Sequence, residues 1–82
     1  MPVVKNSLFL VVQRFPDRKD SVRKLFRGSE SFRSLCDDFS SCSEALERWN
    51  RSSSPEAPQL REEYKDLLQE LEKEIVECLR AV

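Results

Sequence analysis

Apolar and polar positions alternate with helical regularity over most of this chain, and most strictly between Ser29 and Asn50. There Phe32, Leu35, Phe39, Cys42, Leu46 and Trp49 recur at steps of three and four. That spacing places all six on one stripe of an α-helix, widened on one side by Cys36. Ser29 is a suitable N-cap, with Glu30 in the first turn, so the pattern predicts a helix over residues 30–50.

A second long pattern begins near Pro58 or Gln59. Leu60, Tyr64, Leu67, Leu68, Leu71, Ile75, Cys78, Leu79 and Val82 form a broad, drifting stripe, which predicts a helix over 59–80. Its other face carries Glu63, Asp66, Glu70, Glu74 and Glu77 at steps of three or four and is strongly acidic. Between the two long patterns, residues 50–58 are polar, contain two prolines and have no apolar period, so they read as a mobile loop. Such a link lets two helices of about 30 Å fold back antiparallel as a hairpin.

Upstream, Phe15-Pro16-Asp17 opens a shorter pattern with Val22, Leu25 and Phe26 on one side, predicting a helix over 16–27. Proline suits a first helical position, Asp17 and Asp20 suit the positive end of the helix dipole, and Gly28 reads as a left-handed stop. Residues 1–14 are the least legible part. Leu8 to Val12 fits a short strand, yet Leu8, Val11, Val12 and Phe15 also fit the i, i+3, i+4, i+7 spacing of a helix. We read this segment as a mostly irregular arm that docks on the helices. The class is therefore all-α: an arm over 1–14, and one helical domain over 15–82 in which a short helix precedes a long antiparallel hairpin.

Composition narrows this picture. One Gly, four Pro and 35% charged residues in 82 favour long solvated helices over turn-rich β structure. A chain this short builds a small core, and the third helix's stripe is broader than one copy can cover. Pairing of two hairpins into a helical bundle covers it, which predicts a homodimer.

The net charge of −1 is unevenly spread: +5 over residues 1–28, and −3 over each of 29–50 and 51–82. Arg14, Arg18, Lys19, Arg23, Lys24 and Arg27 supply most of the basic end. They suit either a nucleic-acid backbone or the acidic helices of this fold or of a second copy, and we favour the helices.

Candidate chemistry is sparse. No histidine and no Cys-x-x-Cys occur, which removes the commonest metal ligand and general base. Cys36, Cys42 and Cys78 fall at apolar positions and read as core thiols of a reducing compartment; a disulfide from Cys78 requires the helices to bring it beside another. Carboxylates such as Asp37-Asp38 and Glu62-Glu63 stand at positions that face water, where they are not tuned acids or bases. We expect no enzyme, no catalytic or metal site and no cofactor. The longest apolar run, Leu8 to Val12, is too short for a membrane span or signal core, so a cytoplasmic setting is expected. The function expected is a protein–protein interaction or assembly module, with a nucleic-acid-binding accessory role through the basic first helix as the alternative.

Phe15-Pro16, then Asp20, Val22, Leu25, Phe32, Leu35 and Asp37, resembles in order and spacing the opening of the YdcH-like proteins, small bacterial chains that begin with Phe-Pro and continue as a helical hairpin. The acidic segment Leu71-Glu72-Lys73-Glu74-Ile75 is similar in character to that family's second long helix. The resemblance covers about residues 15–80 and implies a helical hairpin of bacterial, cytoplasmic origin, with no activity to carry over. The chain departs from the family in its fourteen extra N-terminal residues and its Pro/Ser connector.

Overall fold

The computed structural model describes residues 7–81, and every regular element among them is helical. Helix α1 spans Ser7–Arg14, a single 3₁₀ turn spans Pro16–Arg18, and α2 spans Lys19–Gly28. The long helices α3, Glu30–Arg51, and α4, Ala57–Arg80, form the expected hairpin, on which α1 and α2 pack. Val3 and Val4 of the N-terminal arm, and Val82 of the last stripe, lie outside the described residues.

The arm is corrected from residue 7 onward: Ser7–Arg14 is a helix, not an irregular segment. Eight residues are too few to hold a helix alone, so its stability comes from burial. Val11 is fully buried, and Leu8, Leu10, Val12 and Phe15 pack partly against the same core. Ser7, also buried, donates from its hydroxyl to Asp37 Oδ1 at 2.6 Å, joining the first turn of α1 to α3.

Phe15 then leaves the helix, as a residue before proline is pressed to do. The first helix predicted over 16–27 is thereby divided. Pro16 to Arg18 form a 3₁₀ turn closed by the Arg18 amide on the Phe15 carbonyl at 3.0 Å, and only from Lys19 is the chain α-helical.

The turn between α2 and α3 also differs from expectation. Gly28 stays helical and has no positive φ; the direction changes at Ser29, which is extended at φ −134° and ψ 116°. Its amide donates to the Leu25 carbonyl at 2.8 Å, closing α2, while its hydroxyl accepts from the Phe32 amide at 3.2 Å, opening α3. One serine thus ends one helix and starts the next, which removes the need for a left-handed glycine.

The connector is shorter and better defined than nine loose residues. Helix α3 continues to Arg51 and α4 begins at the buried Ala57, leaving five residues. The serines build the turn: the Ser54 amide donates to Ser52 Oγ at 3.1 Å, Ser54 Oγ to Glu56 at 2.8 Å, and the Ala57 amide to the Ser54 carbonyl at 3.0 Å.

Three helix C-termini are closed by arginines from elsewhere in the chain, which suits their negative dipole ends. Arg33 donates to the carbonyls of Phe26 and Arg27 at the end of α2, Arg61 to that of Trp49 at the end of α3, and Arg18 to that of Leu79 at the end of α4.

The core lies where the elements converge. Phe32, Cys36 and Phe39 of α3 meet Leu71, Ile75 and Leu79 of α4, and Val11 and Val22 close over them. Of the six residues in the strict stripe of α3, Phe32, Phe39 and Cys42 are buried; Leu35, Leu46 and Trp49 are only half-buried. The hairpin is therefore covered on one side and incompletely covered on the other.

Candidate functional site

Adjacent residues of α3 and α4 look to opposite sides of the hairpin. On one side Phe39 and Ser43 of α3, with Leu68 and Glu72 of α4, lie beside Leu10, Gln13 and Arg14 of α1. On the other, no residue of α1 contributes, and an open groove follows the seam between the two long helices.

The groove has three overlapping stretches. At the α2 end, a space of about 380 Å³ is lined by Leu25, Leu35, Leu71 and Cys78 and flanked by Asp38 and Glu74. The middle, about 420 Å³, has Cys42, Ala45, Tyr64, Leu67 and Leu71 for walls, with Asp38 and Arg48 on the rim. The connector end, about 480 Å³, is formed by Ala45, Arg48, Trp49, Ser52 and Tyr64. Asp38 and Leu71 are common to the first two stretches, and Ala45, Arg48 and Tyr64 to the last two, so the surface is continuous.

Leu67 stands at its middle with 48% of its surface exposed, an unusual position for a leucine flanked by other apolar side chains. The helical spacing of residues 60–82 identifies it as part of an apolar stripe, but not that its part of the stripe is left open. Asp38, Arg48 and Glu74 are all exposed, and none has an ion-pair or hydrogen-bond partner among the described residues.

The basic cluster expected on the first helix is divided by the fold. Arg14 makes a bidentate pair with Glu72, Nε to Oε1 at 3.1 Å and Nη2 to Oε2 at 2.7 Å, and Arg18 is occupied at the end of α4. Lys19, Arg23, Lys24 and Arg27 remain exposed on α2. Of the two uses foreseen for these charges, contact with an acidic helix of the same chain thus accounts for Arg14. The acidic face of α4, Glu63, Asp66, Glu70, Glu74 and Glu77, is solvent-exposed throughout.

The cysteines are free thiols in two environments. Cys36 and Cys42 are buried, whereas Cys78 is half-buried in the groove wall. Burial pushes the Cys36 thiol up to about 12, aided by the Asp37 charge and by Cys78, and burial also raises Cys42. Both therefore stay protonated near neutral pH, where a protonated thiol is a poor nucleophile and metal ligand. Among the described residues, no three His, Cys, Asp or Glu side chains are grouped so as to hold a metal ion. Nor is any helix there long and apolar enough to cross a membrane.

No protein-family model, curated protein or solved structure matches the chain.

Proposed function

We propose that this protein is a small, non-enzymatic interaction module that offers the open side of its α3–α4 hairpin to another polypeptide. The observation that carries the reading is the continuous groove with half-exposed Leu67 at its centre, on the one side of the hairpin that α1 leaves uncovered. A surface with apolar walls and unpaired charges on its rim has the anatomy of a protein interface, and docking there removes from water the surplus stripe that a chain of 82 residues does not cover alone. Self-association is the form of this activity we favour, in a bacterial cytoplasm, as kinship with the YdcH-like hairpins would imply.

The test is site-directed photo-crosslinking in the producing cells, with a photoreactive residue at Leu67 and, as control, at Glu62 on the exposed outer face of α4. A discrete product from position 67 and none from 62 is expected. Absence of a discrete product from position 67 removes the interaction reading.

The second reading, nucleic-acid binding through α2, is favoured by the four exposed basic residues Lys19, Arg23, Lys24 and Arg27, which have no partner among the described residues. Phosphate attraction is strongest at low salt, so duplex and single-stranded probes at low ionic strength test it, and no measurable binding there eliminates it.

A further inference from the structure

We propose that the occupant of the groove is a second copy of this chain, laid antiparallel across a two-fold axis beside residues 42–45, with Arg48 of each copy meeting Asp38 and Glu74 of the other. This rests on the interaction reading above and names its partner.

Charge is ordered along the groove. Its α2 end is bordered by Asp38 and Glu74 and carries no basic lining residue; its connector end is bordered by Arg48 and carries no acidic one. A two-fold interface joins a surface to itself reversed, so it must be self-complementary. Opposite charge at opposite ends meets that requirement, and like charge at both ends would violate it.

The geometry agrees. Asp38 and Arg48 are ten residues apart on α3, about 15 Å along its axis. The midpoint falls between Ser41 and Ala45, whose small side chains let two α3 helices approach closely. The hairpin register, set by Arg61 against the Trp49 carbonyl and by Cys42 Sγ donating to that of Tyr64, brings Leu67 about level with this midpoint. The two copies of the most exposed leucine then flank the axis and bury each other. A face two helices wide and about 30 Å long presents on the order of 600 Å², close to the ~800 Å² per partner of a standard stable interface. The product is a four-helix bundle with α1 on its outside and α2 bordering each end of the interface.

The experiment compares solution mass across a dilution series, in reducing buffer, for the full chain and four variants: R48E, D38R/E74R, the combined R48E/D38R/E74R, and L67K. All four positions are exposed, so the variants should fold, which circular dichroism checks. The wild type is expected at twice 9.6 kDa. Each separate charge reversal occurs twice in a symmetric dimer and should weaken association by about tenfold or more, more strongly at low salt. The combined variant should recover most of that loss, and folded L67K should be monomeric.

A wild-type monomer throughout the series overturns the inference, as does a dimer indifferent to R48E or a combined variant that remains as weak as its parents. The crosslink distinguishes the partner from the module. A product from position 67 of about twice the chain's mass supports the second copy, whereas a discrete product of another mass keeps the interaction module and overturns this partner.

Discussion

The two sides of the α3–α4 hairpin differ in how completely their polar groups are matched. On the side that α1 covers, Ser7 is bonded to Asp37 and Arg14 to Glu72, and Val11 is fully buried over the core. On the open side, Leu67 is half-exposed while Asp38, Glu74 and Arg48 face water without partners among the described residues. Folding satisfies a polar group when it brings another element over it. Among the described residues, the open side has no such cover.

The largest effect should come from comparing two apolar positions of one helix. Ile75 of α4 is fully buried and Leu67 is not, so Ile75→Ala should cost about 2–5 kcal/mol and Leu67→Ala, in the weakened R48E background diluted until it is monomeric, within about 1 kcal/mol. Urea unfolding of the two variants checks this. Equal losses would mean that the open side is as well packed as the covered one.

Next in size is a pH effect confined to the covered core. The Cys36 thiol is held near 12 when folded and titrates near 9 when unfolded, so between those values the unfolded chain binds fewer protons than the folded one. Stability is unaffected below about pH 9 and falls above it, by up to about 1.4 kcal/mol per pH unit from this group. Other groups titrate in the same range, so the contribution is read as the difference in slope between wild type and Cys36→Ala. Identical slopes would place this thiol in contact with water.

Removing a single polar match should have a smaller effect. Ser7→Ala should cost about 1 kcal/mol, since it breaks a hydrogen bond from a buried hydroxyl, whereas Ser34→Ala, at the exposed edge of the open groove, should change stability by less. Thermal unfolding of both variants ranks them. The smallest change is a gain at the hinge between α2 and α3. Gly28 is helical, and a Cβ there would meet nothing within 4 Å, so Gly28→Ala should stabilise the fold by about 0.4–1 kcal/mol. A loss instead would show that the junction needs the conformational freedom of glycine.

The helical class, and the ends of α3 and α4 to within two residues, are legible in the chain's local pattern. Those features depend on local chemistry: the 3.6-residue apolar period, the Ser29 cap, and Pro58 in the first turn of α4. The connector was legible as a polar link between the long helices, but the bonds of Ser54 to Ser52 and Glu56 make it more ordered than the mobile loop such a run suggests.

The remaining features depend on contacts between distant segments. The apolar spacing of Leu8, Val11, Val12 and Phe15 allowed a helix, but eight residues acquire one only when packing offsets the cost of ordering them. The roles of Arg18, Arg33 and Arg61 at helix ends, and of Arg14 against Glu72, join positions from 6 to 61 residues apart, and most of these have no local signature. Least legible was the groove itself. Periodicity states which residues share a face of a helix, but which part of that face stays open depends on where α1 and α2 come to rest.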